Sequence, residues 1–313
     1  MQGFNYLAAL TVLALAGGCL ATDPASERAQ TIRQSLFSPP DGYERFFSPA
    51  QHNFRVGLTD TGDPVRRGRL SERFELRDGD CGGSDCGNPR ARAEIAVNDD
   101  ANPARIGQDI WYGWSFYNEN VPSFQRDNSL RLVFGQWTMG GKNRPIIRLI
   151  QLGAGEGNFD RCDPAICAGP NTAQGDLVVH LDDIATASGW GARENNGYVC
   201  RLFDLADRQG TWTDITLNTN FSTGADGYLR IWVNNQLACN YAGPVVSAAS
   251  AASGRQPEHR RGIFSSWTRR WEQATGGAAR PTLIVYYDEF RAGVTLAAVD
   301  VGQATFNNLP PVQ

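Results

Sequence analysis

Between about Phe46 and Ala298 no apolar period of 3.6 residues holds for three helical turns, while short apolar–polar alternations recur throughout. That pattern removes helical bundles and βαβ units and leaves a chain of strands. Gly, Asn, Asp and Pro stand between the runs, where turns are needed. In "RARAEIAV", Arg90, Arg92, Glu94 and Ala96 share one parity and Ala91, Ala93, Ile95 and Val97 the other. Successive strand side chains point to opposite faces, so one face is charged and the other is core.

The same reading continues along the chain. "DIWYGWSFYN" is almost wholly aromatic or apolar and reads as a mid-sheet strand. "SLRLVFGQWT" sets Gln136 beside Trp137, and "PIIRLIQLG" follows. In "GDLVVHLDD", Leu177, Val179 and Leu181 oppose Val178, His180 and Asp182. "TWTDITLNTNF" and "GYLRIWVNNQLACNY" are joined by Gly-Ala-Asp-Gly, a hairpin signal. In the second of these, Leu229, Ile231 and Val233 form the apolar parity, and Tyr228, Arg230, Trp232 and Asn234 the other. "TLIVYYDEFRAG" closes the series. Many short antiparallel strands with little helix predict an all-β sandwich or jelly roll, one domain over residues 46–299. A dry core does not tolerate unpaired charge, so the mixed Arg/Glu/Gln face is read as an open groove.

Formal net charge is −4, which speaks against general nucleic-acid binding. Of 29 basic residues only Lys142 is lysine. A GC-rich genome yields that bias, and arginine forks also suit carboxylate and sulfate. Four arginines and one of the three histidines crowd into "QPEHRRGIFSSWTRRW".

An apolar run from Leu7 to Ala16 precedes "GGC" at Cys19 and has the length of a signal-peptide core. The expectation is a signal peptide over 1–18, a tether over 19–45, and a closing tail over 300–313. "LAGGC" resembles a bacterial lipoprotein signal, so Cys19 is either lipidated or removed. Export to the periplasm, the outer membrane or the medium follows. Six further cysteines permit fifteen pairings; Cys81–Cys86, Cys162–Cys167 and Cys200–Cys239 is the economical one. Zinc is the rival for the close pairs, but their spacing is CxxxxC and no His pair accompanies them.

Taken in order, these segments resemble the jelly-roll polysaccharide lyases, the group of heparin lyase I, glucuronan lyases and, more distantly, certain alginate lyases. "RARAEI" is similar to that group's Arg-x-Glu strand, and "WYGWSFY…FGQW" to its aromatic strand followed by one ending Gln-Trp. "GTWTDITLNTNFSTGADGYLRIWVNNQ" is similar to its Trp-containing strand, Asp-Gly turn and following strand. "EHRRGIF" with "LIVYYDEFRAG" is similar to its K-x-G-I-Y segment and closing strand. The resemblance covers about Arg90 to Gly293. It implies a concanavalin A-like sandwich and β-elimination on an acidic polysaccharide by a monomer.

By position, Arg92 and Gln136 are implied to bind and neutralise a uronate carboxylate, with Glu94 orienting Arg92. Arg90, Trp137, Trp232, Arg260 and Arg261 join Glu94 as expected substrate contacts. Phe264 stands where the resembled lyases present a tyrosine, and Arg260 where they present a lysine. Phenylalanine carries no proton, so His259, His180, Tyr198 or Tyr286 acts as base, or the site binds polymer without cutting it. His180 also fits a plain structural histidine, and His52 has no evident partner. The alternative reading is therefore a non-catalytic carbohydrate-binding sandwich. A glycoside hydrolase needs two facing carboxylates. The Asp182–Asp183 pair puts its side chains on opposite faces. No cofactor or metal site is read from the sequence, and calcium stays open.

Overall fold

The computed structural model describes residues 36–141, 143–154, 156, 176–190 and 197–301. The segments read as signal peptide, Cys19 and most of the tether lie outside these residues, as do Cys162, Cys167 and the tail from 302. Where alternation is strongest it becomes strand, and the strands assemble into two seven-stranded antiparallel sheets. The first sheet runs β1 (Tyr43–Phe46), β4 (Ala91–Val97), β13 (Glu258–Ser265), β6 (Leu132–Thr138), β7 (Ile147–Gln151), β8 (Asp176–His180) and β9 (Tyr198–Asp204). The second runs β12 (Gln236–Ala242), β11 (Tyr228–Val233), β10 (Trp212–Thr219), β5 (Ile110–Asn118), β14 (Leu283–Gly293), β3 (Leu70–Leu76) and β2 (Phe54–Leu58). β1 takes up the end of the stretch read as a tether.

The core lies between the sheets and is built by the predicted parities. Ala91, Ala93 and Ile95 of β4, Leu177 and Val179 of β8, and Leu229, Ile231 and Val233 of β11 all point into it. Burying side chains of this size contributes about 1.5–3 kcal/mol each for the larger ones. Cys200 on β9 and Cys239 on β12 form a disulfide that ties one edge of the first sheet to one edge of the second. Cys81 and Cys86 form another within their loop.

Two strands differ from the sequence reading. "GYLRIWVNNQLACNY" is two strands, because Asn234 and Asn235 adopt φ of 48° and 64° and turn the chain back. Asn tolerates the left-handed region better than most residues, which makes Asn-Asn a tight hairpin turn. "GDLVVHLDD" stops being strand at His180, and a short helix α1 (Asp182–Ala187) follows. Asp182 then turns toward arginines, while Asp183 accepts bonds from Ser247 and Ser250. Among the described residues no helix is long and apolar enough to cross a membrane.

Candidate functional site

Strand β13 is the stretch that carries "EHRRGIF". It lies between β4 and β6 in the first sheet. Gly262 within it has a φ of 130°, and a Cβ there would stand 2.2 Å from the Ala93 carbonyl oxygen. The strand can lie against β4 only with glycine at that point. Strand alternation puts Phe264 on the same face as Arg260, and both line the groove.

That face opens into a groove of about 870 Å³. Six arginines line it: Arg90, Arg92, Arg131, Arg144, Arg148 and Arg260. Register explains the convergence. Arg260 stands opposite Gln136, Gln136 opposite Arg148, and Arg148 opposite His180, so one ladder row crosses four strands on one face.

At one end the floor is a closed network. The Arg92 Nε donates to Asp85 at 2.6 Å, its Nη1 donates to Glu94, and Gln136 Nε2 donates to both Glu94 oxygens at 2.9 and 3.0 Å. The Arg92 guanidinium lies 3.8 Å from the centre of the Phe264 ring. Burial works against its charge, but Glu94 and Asp85 outweigh that and hold its pKa above the ordinary arginine value. Arg260 donates to Glu258 at 2.7 Å and rests 3.5 Å from the Phe46 ring centre. Glu94 therefore joins Arg92 to Gln136. Arg90, half-exposed, stands at the rim 3.8 Å from Asp85.

Towards the other end, Arg148 donates to Asp182 at 2.7 Å and Arg144 reaches the same carboxylate at 3.4 Å. Arg131 donates to the Tyr198 hydroxyl at 2.6 Å. Tyr198 packs against His180, ring centres 4.7 Å apart. Burial raises the Tyr198 phenol, and the Arg131 charge pulls it back only in part.

Four expected site residues are not in the groove. His259 and Arg261 have the opposite parity on β13 and point between the sheets. His259 stacks on Phe290 at 4.4 Å and packs against Trp137 at 4.9 Å. Burial, then the Arg261 charge, hold its imidazole well below the usual histidine value. Arg261 donates to Glu72 of the second sheet at 2.6 Å and lies over Tyr43. Trp137 is a fully buried core side chain. Trp232 lies on the outer face of the second sheet, stacked on Trp111 at 5.5 Å. Tyr286 and His52 lie elsewhere, and His52, read as having no evident partner, has one. Tyr286 bonds Asp63 on the second sheet, and His52 pairs with Asp80. His180 shares the groove-side ladder row but is 2% exposed.

Arg131, Arg144 and Arg148 were missed. Arg148 carried a signal, a lone charge inside the apolar run "PIIRLIQ" three strands from Arg92. Arg131 carried none, because its φ of 47° is not written in an arginine. Among the described residues no three His, Cys, Asp or Glu side chains gather as a metal cluster would require.

A family model described as polysaccharide lyase matches residues 47–291. No curated protein matches the chain. Among solved structures, an endo-β-1,4-glucuronan lyase from the fungus Trichoderma reesei is 15% identical, with TM-score 0.48, covering 84% of this chain and 96% of that one. An alginate lyase of polysaccharide lyase family 7 is 13% identical, with TM-score 0.46, covering 82% and 92%. A cellulose-induced protein is 12% identical, with TM-score 0.41, covering 82% and 90%.

Proposed function

The chain belongs to the polysaccharide lyase family, and from that premise we propose that its groove cleaves a 4-linked uronic-acid polysaccharide by β-elimination. The observation that carries this reading is the gathering of six guanidinium groups and Gln136 in one groove of a chain whose net charge is −4. A polymer with a carboxylate on every sugar meets that surface with complementary charge.

The reaction sets the demands. The proton on C5 must leave, the bond from C4 to the glycosidic oxygen must break, and a C4=C5 double bond forms. The carbanion-like charge that develops spreads into the C5 carboxylate, so that carboxylate needs donors already in place. Arg260 and Gln136 supply them. Arg92 acts behind them: with Asp85 it fixes Glu94, which fixes Gln136. Phe264 has no proton to move. On this reading the proton acceptor comes from the His180–Tyr198 pair at the end of the ladder row. His259 is set aside because it lies on the other side of the sheet. The broken C4–O bond leaves an alkoxide that takes a proton from water or from the acceptor once loaded.

Export is part of the same proposal. The disulfides Cys81–Cys86 and Cys200–Cys239 support an oxidising compartment. Cys19 is then lipidated or lost with the leader, and the mature protein works as a monomer on acidic polysaccharide. The test is incubation with alginate, glucuronan, heparin and chondroitin, following the ultraviolet absorbance of a 4,5-unsaturated uronate. Absorbance growing on at least one polymer is the expected result. Binding of every polymer without any growth would replace catalysis by plain carbohydrate recognition.

A further inference from the structure

The six groove arginines are not equally provided for. Arg92 has two carboxylates, Arg260 has Glu258, and Arg148 shares Asp182 with Arg144. Arg131 has no carboxylate partner among the described residues. Its Nη2 bonds a neutral phenol, Tyr198, and its Nε is buried without any hydrogen-bond partner. The Nε of Arg148 is buried and unpartnered as well. Arg148 and Arg144 thus share one carboxylate, Asp182, while Arg131 stands near Arg148 without one among the described residues. They feel one another: burial pulls the Arg148 pKa down, Asp182 resists, and the Arg131 and Arg144 charges pull it further.

The backbone holds this arrangement at a cost. Arg131 occupies the left-handed region at φ 47°, where a side chain larger than glycine is strained. Its amide donates to Ser129 Oγ at 3.2 Å, and its carbonyl accepts from the Ser266 amide at 3.3 Å and from Ser266 Oγ at 3.1 Å. A strained residue pinned from both sides, presenting an uncompensated charge to a groove, has the form of a ligand site. Leaving a guanidinium partly desolvated with an orphan donor costs free energy that an incoming anion returns.

We propose that Arg131, with Arg148 and Arg144, forms a second carboxylate subsite, which seats a neighbouring uronate of the polymer while Gln136 and Arg260 hold the reacting one. The proposal rests on the lyase reading and adds what that reading does not contain: a charge requirement at a sugar that does not react. Contacts to a non-reacting sugar that are made equally in the ground and transition states lower KM and leave kcat unchanged. Arg131 is therefore a specificity residue for a run of at least two acidic sugars.

The experiment compares wild type with Arg131→Met on the polymer that the panel identifies, and on the same polymer with its carboxylates methyl-esterified in part. Loss of one charge-assisted contact raises KM about 10- to 100-fold. Because Arg131 donates to the Tyr198 hydroxyl of the acceptor pair, kcat moves as well. The split of KM from kcat is therefore read on Arg144→Met, whose kcat stays at the wild-type value. The variant also loses part of the salt dependence of KM and discriminates less between native and esterified polymer. Arg230→Met, an exposed arginine on the second sheet, controls for net charge and leaves all of these unchanged. Arg144→Met removes a mostly exposed member of the same cluster, so it keeps the question open to test should Arg131→Met fail to fold; its KM rises severalfold. An unchanged KM and salt dependence in a folded Arg131→Met protein, or in Arg144→Met when the first does not fold, overturns the subsite. Absence of cleavage by wild type overturns the lyase reading instead.

Discussion

The two sides of strand β13 put the same residue types to opposite uses. Arg260 and Arg261 are neighbours in sequence, and both are more than nine-tenths buried. Arg260 lies on Phe46 in the groove beside Gln136. Arg261 reaches across the sandwich to Glu72 on β3 and is enclosed by Tyr43 and Phe290. Its pKa is raised because Glu72 and the Tyr43 phenol outweigh the burial that opposes the charge. One guanidinium therefore faces the groove, and the other is a strut between sheets. The difference is one step of strand parity. Residue type and density in "EHRRGIF" say that charge is needed; only register says for what.

Replacing each arginine in turn breaks the comparison most sharply. Arg260→Ala should lower kcat/KM by about 10²–10³, the usual loss for one preorganised donor to developing charge. Its fold should persist, with Glu258 left half-exposed and able to take up water. Arg261→Ala should do the reverse. It strands Glu72 at the edge of the core, and breaking a buried pair in this way costs about 3–5 kcal/mol. Activity per folded molecule should then match wild type. Kinetics normalised by the folded fraction, with urea denaturation for stability, check both. Equal kinetic losses from the two variants would erase the distinction drawn here.

What could be read from the sequence follows the same line. Alternation placed the strands and the core, because side-chain period is a local property. The Arg92–Glu94–Gln136 cluster was legible for that reason and through the resemblance of its motifs. His259 and Arg261 were misplaced because the cluster of basic residues was read as one patch, without splitting it by parity. Trp232 was on the right side of its strand but in the wrong sheet. Sheet order depends on contacts far apart in sequence, such as β13 lying between β4 and β6, and a single sequence does not state them. Arg131 depends on one backbone angle, which its neighbours set.

The histidines give a second, smaller contrast. His259→Ala removes a ring stacked among Phe290, Tyr112 and Trp137, so a cavity remains in the core. The expected loss is about 2–4 kcal/mol of stability, near the range for large-to-small core changes, with the pH–rate profile unmoved. His180→Ala sits on the groove side beside Tyr198, and should change the pH–rate profile as well as the rate. Thermal melts and pH–rate curves on the same preparations separate the two. A profile shifted by His259→Ala and untouched by His180→Ala would return the base to the inner face.

The smallest effect concerns how stability follows pH, where the inner face should show itself without any substrate. His259 is held neutral in the folded protein, so protonation is favoured only in the unfolded chain, near the ordinary value of about 6.5. The unfolded state then binds the extra proton below that pH, and stability falls as pH drops through it. Asp288 works in the opposite sense. Burial pushes its carboxyl up to about 7, although the backbone amides of Arg67 and Arg66 donate to it and pull the other way. Between the ordinary aspartate value of 3.8 and about 7 the folded state holds a proton that the unfolded state has lost, so stability falls as pH rises across that window. The two slopes oppose each other below about 6.5 and flatten the wild-type curve. Asp288→Asn keeps the group neutral and removes one slope, so melting temperature should then rise from pH 5 to pH 7, by about 2–4 °C for each kcal/mol exposed. His259→Phe removes the other, and melting temperature should fall over the same interval. Parallel curves for wild type and both variants would mean that neither buried group changes its proton on unfolding, and the inner face of β13 would then contribute packing alone.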